Sequence, residues 1–208
     1  VLMYEERHSI SSINQKLMTD QIQSIQLQIV HASSELEDAM QNSKNVILIA
    51  DRNQITKILK FKVDYIFDGL MNNKDLVALK KIVETKSIQH EIISALKPEN
   101  FVHVTTETTF EMTINKGLKQ LQGQGGLTLQ QVQAIKKREA AGNQLIVGQL
   151  SIPHIRAEIE EPFKLYYLKL STSIKVQSTK ISAILVVVVS MASNEYTQLF
   201  LYLYKKFK

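Results

Sequence analysis

Five histidines, His8, His31, His90, His103 and His154, are the side chains of this sequence best suited to proton transfer, nucleophilic attack or metal ligation. Their spacing fits no zinc motif, and His-Glu-x-x-His does not occur, so each reads as a surface or partly buried histidine. Cysteine is absent, which removes thiolate nucleophiles, thiolate metal sites and disulfides together. Glu107 with Glu111, and Glu158 with Glu160, would project together from a strand face. Acid–base work by paired carboxylates also needs a pocket, and the sequence implies none. Gly123, Gly125 and Gly126 could offer amides to an anion. No strand runs directly into them and no lysine follows at the phosphate-loop position, so they read as a hinge. There is no Gly-x-Ser-x-Gly elbow. The chain therefore reads as non-catalytic, with no cofactor and no metal.

One stretch points to nucleic acid. Residues 127–159 resemble a helix-turn-helix of the resolvase and transposase kind, with Ser151-Ile152-Pro153 as the turn. His154 to Ile159 would enter the major groove, with Arg156 near the bases and Lys136, Lys137 and Arg138 on phosphates. Against this, Gly148 falls inside the second helix and Pro162 truncates the third. Ile155, Ala157 and Ile159 also alternate as a strand would. DNA binding is thus the alternative to an assembly role.

The elements that must position these residues divide near Pro98. Ile22, Ile25, Ile29, Ala32, Leu36 and Ala39 follow one another at alternating three- and four-residue steps, the pattern of a coiled-coil seam. The spacing predicts one helix from about Ser9 to Ser43 and, with isoleucine at successive seam positions, a homo-oligomer, a trimer being favoured. Asp51-Arg52-Asn53-Gln54 has the residues of a capping box and predicts a second helix through Ile55, Leu59, Val63 and Leu70. Asn72 and Asn73 open a third, through Leu76, Leu79 and Ile92, which Pro98 closes. Val46 to Ile49 fits a short strand or a continuation of the first helix.

Beyond Pro98, even positions from Val102 to Ile114 predict a long half-buried strand. Thr128 with Gln131 predicts a capped helix over 128–141, ended at Gly142. Phe163 to Val176, Lys180 to Met191 and Tyr196 to Phe207 read as three consecutive antiparallel strands. The expected fold is α+β: a helical coiled-coil region at 1–97 and an antiparallel β-rich region at 98–208.

Composition is that of a folded protein, 44% hydrophobic and 22% charged, with a net charge of +5. The apolar run Ile181 to Met191 is far short of the ~20 residues a membrane helix needs and reads as a buried strand. Residues 1–97 balance twelve basic against twelve acidic side chains, while 98–208 carry thirteen against eight. Lysines late in the chain, from Lys164 to Lys208, offer a contact to an anionic surface or membrane.

The order of elements resembles a class I viral fusion protein. The C-terminal third is similar to the baculovirus F protein and the related envelope proteins of insect gypsy-type retroelements. The residues concerned are Gly126-Leu127 with its helix, Leu150-Ser151-Ile152-Pro153, Tyr166-Tyr167, Ile184 to Val189, and Tyr196 to Tyr204. Ile13-Asn14-Gln15-Lys16-Leu17 resembles that family's heptad region. This resemblance implies an oligomeric assembly module from an envelope ectodomain. Ser190 stands where the family has proline, and the sequence shows no furin-type cleavage site, fusion peptide or membrane anchor. Without the resemblance, an intracellular coiled-coil scaffold or adaptor in the cytoplasm is the expected role.

Overall fold

A computed structural model describes every residue except 23–24, 44, 143, 177 and 194–195. The chain divides into two compact units, Val1–Ser87 and Ile88–Lys208.

The first unit is an open parallel sheet. Its strands are β1 (Leu2–Tyr4), β2 (Gln28–Val30), β3 (Leu48–Asp51) and β4 (Tyr65–Phe67), ordered β2-β1-β3-β4. Each pairing is parallel, with Met3 opposite both Ile29 and Ile49. Parallel strands need covering on both faces, which explains their continuous apolar runs. On one face Met3, Ile49 and Phe67 pack with Met18 of α1 (His8–Gln21) and with Leu76 and Leu79 of α3 (Asn73–Ala95). On the other, Leu2, Tyr4, Leu48 and Ala50 pack with Leu36 and Ala39 of α2 (Ser33–Asn42) and with Ile58 of a 3₁₀ turn at Arg52–Ile58.

This architecture corrects the predicted coiled coil. Ile22 is the C-cap of α1, Ile29 lies in β2, Ala32 is the N-cap of α2, and Leu36 and Ala39 belong to α2. Ile25 sits between α1 and β2. The six residues never share one helix, so they form no continuous seam. Ile22 and Ile25 face one core of the sheet while Leu36 and Ala39 face the other. The face that α1 does bury is Ser11, Asn14 and Met18. Asn14 is there because its amide donates to the Gly69 carbonyl at 2.9 Å and its oxygen accepts from the Met71 amide at 2.9 Å. The predicted second helix is likewise replaced. Asp51 does accept from the Asn53 amide as a cap, but only the 3₁₀ turn follows before β4.

In the second unit the sheet runs β5 (Phe101–Val104), β9 (Phe163–Val176), β10 (Thr179–Ser190), β7 (Leu150–Ser151), β6 (Ile146–Val147), with β8 (His154–Ala157) also on β10. β9 and β10 are antiparallel, as their sequence predicts, whereas β5 joins β9, and β7 and β8 join β10, in parallel. α4 (Phe110–Gly123) and α5 (Leu129–Ala140) cover the face carrying Leu168, Val186 and Val188. α6 (Tyr196–Phe207) covers the other through Leu199 and Leu203, which meet Leu185, Val187 and Val189. Gly117 lets α4 settle on the sheet, since a Cβ there would lie 2.6 Å from Leu168 Cδ1 and 3.3 Å from Val104 Cγ2.

The strand expected from Val102 to Ile114 is a strand only to Val104, and its later part, like the whole of the last expected strand, is helical. Thr109 accepts from the Met112 amide and starts α4, whose buried residues Ile114, Gly117, Leu118 and Leu121 follow helical spacing. In α6 the buried pair is Leu199 and Leu203. A four-residue step is in phase for both a strand and a helix, so the alternation of tyrosine and leucine did not decide between them. The fold is therefore α/β, with a parallel sheet where a helical region was expected, and of that sheet only β3 overlaps the short strand that Val46 to Ile49 allowed.

Candidate functional site

Chemistry in an open parallel sheet gathers where the strand order reverses, at the carboxyl ends of the two central strands. Here those are β1 and β3, followed by Glu5 and ending in Asp51. Glu5 is fully buried, and its Oε1 accepts from the Arg7 amide at 3.0 Å, Arg7 Nε at 2.8 Å and Gln54 Nε2 at 2.6 Å. Its Oε2 takes a second guanidinium bond at 2.8 Å, and Arg7 Nη2 also reaches Asp51 at 2.9 Å. Burial alone would raise the Asp51 pKa. The Asn53 and Gly69 amides and the Arg7 charge overcome it and hold that carboxyl below its usual value.

Glu5 thus accepts from the amide of Arg7, the N-cap of α1, and Arg7 bridges it to Asp51 at the switch point. Gln54, expected to reach back to its own helix cap, instead bonds Glu5 and accepts from the Glu6 amide at 2.9 Å. The switch point of the first unit is filled and internally satisfied.

The second unit presents a different arrangement. Pro153 ends the β6–β7 hairpin and its carbonyl accepts from the Val187 amide, which delivers His154 to the first position of β8. The imidazole is 6% exposed. Nδ1 lies 2.9 Å from the Ile152 carbonyl and Nε2 lies 2.7 Å from Arg138 Nη2. A carbonyl only accepts and a guanidinium only donates, so both contacts require the same tautomer: hydrogen on Nδ1, lone pair on Nε2. Arg138 reaches this point from α5, whose start is fixed by the Thr128–Gln131 capping box. The ring also packs on Phe200 of α6, centroids 4.6 Å apart.

Burial lowers the His154 pKa and the Arg138 charge lowers it further, while the Ile152 carbonyl works in the opposite direction. The result is an imidazole kept neutral. Beside it, burial raises the Glu139 pKa against the pull of Arg138. Arg138 Nε, Glu139 Oε2 and Ser151 Oγ are buried and have no hydrogen-bond partner among the described residues. A cavity of about 670 Å³ elsewhere in this unit, bordered by Lys97, Phe101, Glu161, Lys164 and Tyr166, does not include His154. Two of its charges, Glu161 and Lys164, are already paired at 3.3 Å.

The shift has a sign that can be measured. A histidine whose folded pKa lies below its unfolded value of 6.5 binds fewer protons when folded, so its contribution is complete above that pH. It is lost as pH falls from 6.5 through the lowered pKa. Glu139, raised from 4.5, acts oppositely and loses its contribution as pH rises through its own raised value. In denaturant titrations at about pH 7.5 and pH 5.5, the second unit should be less stable at the lower pH by a margin that His154→Gln reduces. A margin unchanged by that substitution would assign the effect to other groups.

The helix-turn-helix is corrected by the same geometry. Residues 146–157 form the short strands β6, β7 and β8 with the links between them, so no recognition helix occupies this stretch. Arg156 lies on β8, with Nη2 donating to the Met191 and Ser193 carbonyls at 3.3 and 2.8 Å. Lys136 and Lys137 lie on α5, half-buried and exposed respectively, while Arg138 turns to His154. No cluster of three or more metal-ligating side chains occurs among the described residues.

Residues 1–86 match the model of the fourth domain of the Frv operon regulatory protein FrvR. That match ends one residue before the boundary at Ser87. A protein of Escherichia coli (strain K12), named for regulation of the frv operon, is 23% identical over 218 residues, covering 98% of this chain. The chain spans 35% of that relative's length. Among solved structures, the nitrogen regulatory protein IIA-Ntr of Neisseria meningitidis aligns with 56% of this chain and 84% of its own. Its identity is 18% and its TM-score 0.43, too low to bear on the fold.

The similarity to a bacterial operon regulator, together with the division of residues 8–42 between two helices and a strand, overturns the resemblance to envelope fusion proteins and the assembly module drawn from it. The scaffold reading falls with the seam on which it rested. Sequence reasoning took Ser151-Ile152-Pro153 as a turn and His154 as the start of a recognition helix. The partners of His154 come from a separate helix and a carbonyl, which spacing does not show.

Proposed function

We propose that this chain is a two-unit regulatory segment of a transcription regulator similar to the frv operon protein, in which the second unit accepts a phosphoryl group on His154. The observation that carries the reading is the pair of contacts fixing the imidazole. Nδ1–H on the Ile152 carbonyl leaves Nε2 as a nucleophile, and Arg138 stands against that nitrogen to neutralise incoming phosphoryl oxygens. On this reading His154 carries a signal, and the chain turns over no substrate. The first unit, whose switch point holds Glu5 already bonded to Arg7 and Gln54, then acts as a structural relay and not as a second acceptor. The similarity of residues 1–86 to an operon regulator's domain supports the regulatory context.

Phosphoramidate, a small donor of phosphoryl groups to histidine, provides the test. One acid-labile phosphoryl adduct should appear by intact mass, map to His154 and be absent from His154→Gln. Failure of the wild-type protein to take up the group, or its appearance on His8 or His31 alone, would show that His154 is a buried structural histidine.

A further inference from the structure

The imidazole that should accept the group is covered. With His154 6% exposed and Nε2 already 2.7 Å from Arg138, no phosphoryl group fits between them as they stand. Something on the perimeter must move. β8 is held to β10 by its register from Val187–His154 to Ser190–Ala157, and α5 is anchored by buried Val132 and Ile135. α6 buries no more apolar side chains than α5 does, but the one against His154, Phe200, is only half-buried. Among its residues with described burial only Leu199 and Leu203 are fully buried, while Lys205, Lys206 and Lys208 beyond them are exposed. Its far end rests on the β6–β7 turn, where Gly148 has a φ of +57° and any Cβ would collide with the Phe207 carbonyl oxygen.

We propose that α6 is a lid over His154 which must lift for the ring to be phosphorylated and which stays displaced while the phosphoryl group is present. This rests on the reading of His154 as the acceptor. In the step itself, the Nε2 lone pair forms a bond to phosphorus. The P–N bond of phosphoramidate, in its zwitterionic form with the nitrogen already protonated to –NH3⁺, breaks, and that nitrogen leaves with the electron pair as ammonia. Nδ1 keeps its proton on the Ile152 carbonyl, so the ring becomes cationic and carries a dianionic group. That group would have to sit beside the apolar face of Phe200, and charge buried against a hydrocarbon ring without hydrogen bonds is strongly disfavoured. Arg138 can follow the phosphoryl oxygens; Phe200 can only withdraw. The phosphorylated state therefore exposes the inner face of a lysine-tipped helix that the unmodified state conceals.

Two measurements on the 208-residue chain test this. Phe200→Ala should accelerate phosphorylation by phosphoramidate by roughly tenfold, as expected when opening limits access, whereas Leu201→Ala, at a position 52% exposed, should not. Phosphorylation of the wild type should raise amide hydrogen exchange across residues 199–207 by about tenfold or more while leaving β9 and β10 protected. A phosphohistidine that forms on wild type with no change in that exchange would overturn the lid while leaving His154 as acceptor. Absence of the adduct from both wild type and Phe200→Ala would instead overturn the acceptor reading and the lid with it.

Discussion

Glu5→Ala should destabilise the first unit by about 2–3 kcal/mol, less than the ~3–5 kcal/mol of a wholly buried pair because the Arg7 side chain is 44% exposed and can recruit water. The loss arises from what is left behind. Without the carboxylate, Gln54 Nε2 and the Arg7 amide lose their acceptor inside the sheet's carboxyl edge, and Arg7 keeps only Asp51. Glu5→Gln is the informative companion. Its oxygen can accept one bond, but its amide would point donors at a guanidinium that only donates, so most of the loss should remain. Arg52→Ala, which breaks the exposed pair with Asp68, should change stability by less than ~0.5 kcal/mol. Urea titration of the three variants gives the ranking. Equal, small effects for Glu5→Ala and Arg52→Ala would remove the argument that the switch point is filled from within.

The second large effect falls on Arg138. Replacing it by alanine should slow phosphoryl uptake at His154 by about 10²-fold, the scale on which one preorganised charged donor stabilises developing negative charge. Arg138→Lys keeps the charge but not the planar fork and should recover only part of the rate. A purely structural arginine would behave otherwise. Its removal would lower stability while leaving the rate per folded molecule, followed by phosphoramidate labelling, unchanged.

Parts of this molecule are legible in its sequence. α3 follows from Asn73 through Leu79 to Pro98, and α5 from the Thr128–Gln131 box, because local capping and apolar periodicity agree there. β9 and β10 follow from their valine, isoleucine and tyrosine runs. The errors have equally local causes. Ile22 to Ala39 kept a heptad-like rhythm across a helix, a strand and another helix, since residues packing on either face of a parallel sheet can fall at such steps by chance. Leu199 and Leu203 fit a strand and a helix alike. The sites were less legible. Glu5, Arg7 and Asp51 meet only because β1 and β3 are neighbours in the sheet, which the misread first helix concealed. His154 becomes distinctive only once α5 brings Arg138 to Nε2 and the strand geometry points Nδ1 at the Ile152 carbonyl. Those are relations between elements, and periodicity reports only what happens within one.

The most direct test of the central claim is the protonation pattern of that ring, read by long-range ¹H–¹⁵N correlation NMR on protein labelled at histidine nitrogen. At neutral pH His154 should show a protonated Nδ1 and an unprotonated Nε2, and treatment with phosphoramidate should place phosphorus on Nε2. A ring protonated at Nε2, or on both nitrogens at that pH, would leave no lone pair facing Arg138 and would contradict the account.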